Sequence, residues 1–181
     1  MAAPRKLNSS LDKPAIVSSD GACEGVNFED VTIGGVLIEE GGHRRSYFGF
    51  KVPRRLVSAW QARGNTQTIG QAVILPVLLA KSVWRKRLAG RRVPHSIGNE
   101  SARIALVKGT SASPASAILL DAFWQLEAEL VAASWFARVP SDSNVADPAS
   151  RLDFNAPELA GAERVDVSIE AAALEQSRWE A

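Results

Sequence analysis

The order of the predicted secondary-structure elements is the feature that most constrains how this chain can fold. Three runs rich in β-forming residues come first, at Ala15 to Ser19, Val31 to Ile38 and Arg45 to Val52, and they predict an antiparallel meander. The pattern then changes to helix, strand, helix, helix and strand. This order predicts an α/β fold, in which a mixed five-stranded sheet carries helices on its faces.

Start and stop signals place the helices that follow the meander. Thr68 and Gln71 fit a capping box, and Asn99 is a good cap for the helix that Gly109 ends. Pro76 lies inside the first long helix, where it removes a backbone hydrogen bond and bends the axis. A short segment with helical spacing, Arg54 to Ala62, comes first. The predicted helices are Thr68 to about Leu88, Glu100 to Lys108 and Pro114 to about Val131, and the predicted later strands are Val93 to Ile97 and Ser134 to Val139.

The chain of 181 residues suits one domain with tails. We expect an N-terminal tail at 1–14, a folded domain at 15–154 and an Ala- and Glu-rich C-terminal tail at 155–181. The longest apolar run, Ala72 to Ala80, is too short to cross a bilayer, and no apolar stretch follows the first basic residues. We therefore expect an intracellular protein, cytoplasmic or nuclear, without a membrane partner. Cys23 is the only cysteine, which excludes an intramolecular disulfide.

Charge is divided unevenly along the chain. Residues 1–110 contain 17 Lys and Arg against 8 Asp and Glu, whereas residues 111–181 contain 4 against 12. The basic part is a candidate surface for nucleic acid, because Lys and Arg bind phosphates without reading sequence. Its candidate contacts are Arg54, Arg55, Trp60, Arg85, Lys86, Arg87, Arg91 and Arg92. A solvated helix end is an equally open interpretation of the basic clusters, whereas for Trp60 packing is preferred over stacking on a base. The acidic part is a candidate surface for a protein partner.

Two acidic residues stand where strands end. Asp20 follows the first strand and precedes Gly21, and Asp147 precedes Pro148 after the last predicted strand. Each has a structural alternative: Asp20 could begin a tight turn, and Asp147 could cap a short helix. As a pair, they are candidates for a vestigial or partial metal site.

Four stretches carry a resemblance to a known family. They are SDGA at Ser19 to Ala22, IGQAVILPVLLA at Ile69 to Ala80, NESARIALVKG at Asn99 to Gly109, and WFARVPSDSNVADPASR at Trp135 to Arg151. With them, the chain resembles the ribonuclease H domain of retroelement reverse transcriptases. It is most similar to the forms in tyrosine-recombinase (DIRS-like) retroelements and their protist relatives.

The resemblance implies a two-metal site with two of its four carboxylates replaced. In the family, Asp, Glu, Asp and Asp bind two Mg²⁺ or Mn²⁺ ions that support cleavage of the RNA strand of an RNA–DNA hybrid. Asp20 and Asp147 match the first and last of these acids, whereas Val73 and Gly98 stand at the other two positions. We expect metal binding to be weak or absent and cleavage to be impaired. Glu24 is a possible substitute ligand, and Glu100 is another if the strand before it continues.

Three functions remain open at this stage. The preferred one is a ribonuclease H-like, nucleic-acid-binding domain of retroelement origin with impaired or absent cleavage. The second is an active hybrid-specific ribonuclease that uses substitute ligands. The third is a non-catalytic scaffold that binds a protein through its acidic C-terminal part. His43 and His95 have no partner at ligand spacing and add no metal site.

Overall fold

The three N-terminal strands form the predicted meander. In a computed structural model, which describes residues 14–63 and 67–167, β1 (Ile16–Glu24) pairs antiparallel with β2 (Asp30–Glu39). In turn, β2 pairs antiparallel with β3 (Arg44–Lys51). Alternate residues of β2 point to opposite faces of the sheet, so each face packs against a different set of helices.

The later strands complete a mixed sheet. β4 (Arg92–Ile97) runs parallel to β1, and β5 (Ala133–Arg138) runs parallel to β4. A sixth strand that the sequence did not predict, β6 (Glu163–Arg164), pairs with β3, and the strand order is β5-β4-β1-β2-β3-β6. The predicted α/β class and its five strands are confirmed, with one short strand added at the edge.

Six α-helices accompany the sheet in the described residues. They are α1 (Arg54–Ala62), α2 (Ile69–Val83), α3 (Arg85–Leu88), α4 (Glu100–Lys108), α5 (Pro114–Leu130) and α6 (Asp147–Ser150). The prediction of one helix to Leu88 is wrong, because the backbone leaves helical geometry at Trp84, between α2 and α3. None of the described helices is long and apolar enough to span a membrane.

The predicted capping box at the start of α2 is wrong. The Thr68 side chain makes no cap, and its hydroxyl instead donates to the Phe28 carbonyl at 3.2 Å. The Gln71 amide donates at 2.9 Å to the hydroxyls of both Ser113 and Ser116. These long-range hydrogen bonds join the start of α2 to the β1–β2 turn and to α5, so tertiary partners have displaced the local motif.

The main core lies between α2 and the sheet. Every residue of α2 from Gln71 to Lys81 is buried, and the helix packs against β1, β2 and α5. One buried ion pair crosses this core: Lys81 Nζ lies 2.6 Å from Glu127 Oε2. The Glu127 carboxylate also accepts the backbone N–H and the hydroxyl of Ser134, at 2.7 and 3.0 Å. Burial lowers the pKa of Lys81, while the Glu127 charge opposes this shift.

The other face of the sheet carries α6, held close by two glycines. A Cβ at Gly34 would lie 2.3 Å from the backbone N of Ser150, and a Cβ at Gly49 would lie 2.4 Å from the carbonyl O of Ala149. Only glycine lets the backbone of α6 approach β2 and β3 this closely. The two glycines therefore set the position of α6, whose first residue is Asp147.

Residues 155–167 pack against the edge of the sheet. The Arg45 guanidinium donates to the carbonyls of Glu158 and Ala160 at 3.1 and 2.7 Å, and Ser46 pairs with Glu163 in the β3–β6 ladder. The described fold thus continues past residue 154, where the sequence analysis placed the start of the C-terminal tail. Residues 1–13 and 168–181, which hold the rest of the two predicted tails, lie outside the described residues.

Candidate functional site

Asp20 and Asp147 line one cleft beside the carboxyl-terminal half of β1. The cleft has a volume of about 330 Å³, and Val73 of α2 and Gly98, just after β4, line it as well. The four positions that the family resemblance relates to a metal site therefore share one cleft. Other residues that line it are Cys23, Glu24, Asn99, Ser141 and Arg151.

Asp20 is a half-buried acid on the α6 side of the sheet. Its Oδ1 accepts the backbone N–H of Gly21 at 3.0 Å. Burial raises the pKa of Asp20, the Gly21 hydrogen bond opposes this rise, and the nearby charge of Asp147 adds to it. The two acids, far apart in sequence, lie close together in the fold because both line this cleft.

The carboxylate of Asp147 binds Arg151 instead of capping α6. The Nε of Arg151, one turn later, lies 3.0 Å from Oδ1 and 2.9 Å from Oδ2 of Asp147. The Asp147 side chain makes no capping hydrogen bond, although it stands in the first turn of the helix. The charges of Asp147, Asp20 and Glu24 all raise the pKa of Arg151, with Asp147 contributing most.

Val73 and Gly98 offer no ligand atoms from their side chains. Val73 is 1% exposed and belongs to the main core. A Cβ at Gly98 would stand 3.6 Å from Asp20 Oδ1, an ordinary contact distance. An acidic side chain at position 98 would therefore project beside Asp20, as the register of the family resemblance requires.

The residues present do not fit a two-ion magnesium site. Hard divalent cations need several oxygen ligands, and two ions need enough carboxylates to offset their charge. The cleft offers Asp20, Asp147 and Glu24, and Arg151 already engages Asp147. In the ranges 14–63 and 67–167, no group of three or more His, Cys, Asp and Glu side chains is placed to hold a metal ion.

The two possible substitute ligands differ in position. Glu24 lines the cleft and acts electrostatically on Arg151. Glu100 instead lies in the first turn of α4, where Arg103 Nη2 contacts its Oε1 at 2.6 Å, so the strand does not continue to carry it into the cleft. The helix begins at Asn99, whose side chain accepts the Ala102 N–H at 2.9 Å as predicted.

Two of the basic residues predicted to contact nucleic acid instead form ion pairs within the protein. Arg87 Nε donates to Glu39 Oε2 at 2.7 Å, and Arg91 also pairs with Glu39, which is 5% exposed. Burial alone would raise the pKa of Glu39, but the two guanidiniums hold it below its usual range. Arg87 further donates to the Ser46 hydroxyl at 2.7 Å. These two arginines compensate a buried acid, so they are poor candidates for phosphate contacts.

The remaining basic candidates lie at the surface. Lys86 and Arg92 are exposed, as are Arg54 and Arg55, and Arg85 is exposed but pairs with Glu129 at 2.7 Å. Trp60 is fully buried in the main core, because its side of α1 faces inward with Leu56 and Val57. The stacking role considered for Trp60 is therefore wrong for this structure.

Two residues that shape the cleft were not predicted. Arg151 has a sequence signal, the four-residue spacing from Asp147 that places the two side chains on one helix face. Asn144 has no comparable spacing signal in the sequence. Its Nδ2 donates to the Ser19 carbonyl at 3.0 Å and its Oδ1 accepts the Ala146 N–H at 3.1 Å. This buried amide joins the loop before α6 to β1 and so helps to place Asp147 beside Asp20.

Comparison with known proteins identifies the fold class. No protein-family model and no curated protein matches the sequence. Among solved structures, the N-terminal RNase H domain of Rv2228c from Mycobacterium tuberculosis is 13% identical, with a TM-score of 0.54 over 79% of this chain and 94% of that chain. LC11-RNase H1, solved in complex with an RNA/DNA hybrid, is 17% identical, with a TM-score of 0.53 over 76% and 94%. The chain thus has a ribonuclease H-like fold.

Proposed function

We propose that this chain is a ribonuclease H-like nucleic-acid-binding domain of retroelement origin that is impaired or inactive in RNA–DNA hybrid cleavage. One observation carries the proposal. Asp20 and Asp147 share a cleft with Val73 and Gly98, so two of the four expected metal-ligand positions hold no oxygen-bearing side chain. The retroelement origin rests on the sequence resemblance over Ala15 to Arg151.

The impairment follows from the number of ligands. In a two-metal mechanism, the ions stabilise the attacking and the leaving oxygen, and both must be held firmly. An ion between Asp20 and Asp147 would have to draw most of its ligands from water and would compete with Arg151 for the Asp147 oxygens. We therefore expect cleavage with Mg²⁺ or Mn²⁺ to be slower by orders of magnitude than in a complete site.

Binding of an RNA–DNA hybrid is supported by the fold and by the exposed cations. A structural neighbour was solved with an RNA/DNA hybrid bound. In this chain, Lys86 in α3 and Arg92 at the start of β4 are exposed. Phosphate contacts by such side chains give salt-dependent binding with little sequence preference. An intracellular location and a protein partner for the acidic C-terminal part remain predictions.

The test separates binding from cleavage. Binding of a labelled RNA–DNA hybrid is measured by fluorescence anisotropy at several salt concentrations, with and without Mg²⁺ or Mn²⁺, and cleavage is followed on gels. We expect salt-dependent binding that does not require metal, and no cleavage. Lys86→Gln should reduce the slope of the logarithm of the binding constant against the logarithm of the salt concentration by about one. Lys108→Gln is the matched control, because Lys108 is also an exposed lysine in the last turn of a helix.

Two outcomes would contradict the proposal. Absence of salt-dependent binding to hybrid or duplex would remove the nucleic-acid function. Cleavage by the parent protein that Asp20→Asn abolishes would instead establish an active ribonuclease. The position of Glu24 in the cleft favours that second candidate, and Glu24→Gln would then be expected to abolish cleavage as well.

A further inference from the structure

A guanidinium occupies the acidic cleft from within the protein. Arg151 follows α6, and its Nε contacts both carboxylate oxygens of Asp147 at 3.0 and 2.9 Å. The side chain also lies in the field of Asp20 and Glu24, which stabilise its charge together with Asp147. Arg151 lines the same cleft as Val73 and Gly98. One fixed positive charge thus stands among the three acids of this site.

We infer that Arg151 is the resident cation of this cleft and that it excludes divalent metal ions from the two remaining carboxylates. This inference rests on the proposed function only in relating the cleft to a metal site; it does not require that the protein bind nucleic acid. It predicts that carboxylates placed at positions 73 and 98 give only weak metal binding while Arg151 is present.

Geometry and charge both support this role. A metal ion bound by Asp147 needs a lone pair on Oδ1 or Oδ2, and the Arg151 N–H is directed at both atoms. An arginine stays protonated at every pH at which the protein is folded, so its charge cannot be titrated away. A divalent ion would also be repelled by the guanidinium at close range. The ion pair is partly exposed, with the Arg151 side chain 58% accessible, so exclusion is competitive and not absolute.

The experiment compares Mn²⁺ binding in the absence of nucleic acid. Isothermal titration calorimetry is performed on the parent, on Val73→Glu/Gly98→Asp, and on the same double variant with Arg151→Gln added. The control adds Arg85→Gln to the double variant, because Arg85 also pairs with an acid at 2.7 Å and is similarly exposed, at 53%, but does not line the cleft. Each of the two triple variants loses one guanidinium, so they differ only in the location of the lost charge.

We expect no saturable binding by the parent and weak binding by the double variant. Adding Arg151→Gln should tighten Mn²⁺ binding by about tenfold or more, which corresponds to about 1.4 kcal/mol. Adding Arg85→Gln should leave the affinity within about twofold, as expected for a distant charge screened by salt. Equal effects of the two arginine substitutions, or no binding even after Arg151→Gln, would overturn the inference.

A second pair of variants guards against unfolding caused by a buried glutamate at position 73. Gly98→Asp alone and Gly98→Asp/Arg151→Gln leave the main core untouched, and a Cβ at Gly98 makes only ordinary contacts. The same ordering of affinities, accompanied by a Mn²⁺-dependent rise in Tm that is larger without Arg151, would support the inference. A Tm rise that is the same with and without Arg151 would contradict it, whatever the hybrid-binding assay shows.

Discussion

Replacing Gly34 by alanine tests how the fold positions the acids of the cleft. Gly34 lies in the middle of β2, and the backbone of α6 crosses directly over it. The added methyl group would stand 2.3 Å from the backbone N of Ser150 and 2.8 Å from the Cβ of Ala149. Neither contact can be relieved by rotating a side chain, because backbone atoms are involved. The helix that carries Asp147 would have to move away from the sheet.

The size of the effect follows from these distances. Ordinary contact begins at 3.4 Å, so α6 must withdraw from Gly34 by about 1 Å. Overpacking of this kind costs about 1–3 kcal/mol, a sizeable part of the roughly 5–15 kcal/mol that stabilises a typical domain. The movement would also loosen the small apolar cluster that Val36, Tyr47, Ala146, Ala149 and Leu159 form under α6. We expect the free energy of unfolding to fall by at least about 1 kcal/mol.

The assay is urea unfolding followed by tryptophan fluorescence, with Gly70→Ala as the matched control. Gly70 lies in the first turn of α2, and a Cβ there would meet only the Ser116 hydroxyl at 3.8 Å. That substitution should be neutral or stabilising by up to about 1 kcal/mol, because alanine favours the helix. If Gly34→Ala left the midpoint and slope of unfolding unchanged, the close approach of α6 to the sheet would be refuted.

Three further predictions concern the buried charges. Glu127→Gln leaves Lys81 without a counter-charge in the core and should lower the free energy of unfolding by about 3–5 kcal/mol in the same assay. The folded protein lowers the pKa of Lys81 below 10.5, so between the folded pKa and 10.5 the native state binds fewer protons than the unfolded chain. The free energy of unfolding should therefore rise with pH over that range. Lys81→Met should remove this rise, which urea titrations at pH 8 and 10 would measure. Glu39→Gln should cost about 1–3 kcal/mol, measured by urea unfolding, because Arg87 and Arg91 lose their partly buried partner.

The sequence predicted the elements whose signals are local. The five longer strands, the Asn99 cap and the start of α5 at Pro114 are confirmed, because alternation and capping depend on neighbouring residues. β6 was missed because two residues carry no periodicity, and its pairing with β3 is decided by contacts distant in sequence. The role of Trp60 was ambiguous because the apolar pattern of so short a helix does not tell which face of α1 packs against the core.

The candidate site was predictable where it depends on strand ends. Asp20 and Asp147 converge because the fold brings the last loop back to β1, and the family resemblance anticipated that topology. The roles of Arg87 and Arg91 were not predictable, because a basic cluster has the same sequence pattern whether its charges face solvent or a buried acid. Only the distant position of Glu39, in β2, distinguishes the two cases.

The charges of the cleft explain how two acids can lie close together there without a complete metal site. A half-buried carboxylate such as Asp20 is costly when it is ionised close to a second acid. In a complete two-metal site the ions would relieve that repulsion, but here Val73 lies in the apolar core and Gly98 has no side chain to provide a ligand. The Arg151 side chain provides a positive charge in the same cleft, and unlike a metal ion it cannot dissociate from the protein. The fold can therefore hold Asp20 and Asp147 close together without depending on a metal ion, and their presence alone is not evidence of cleavage.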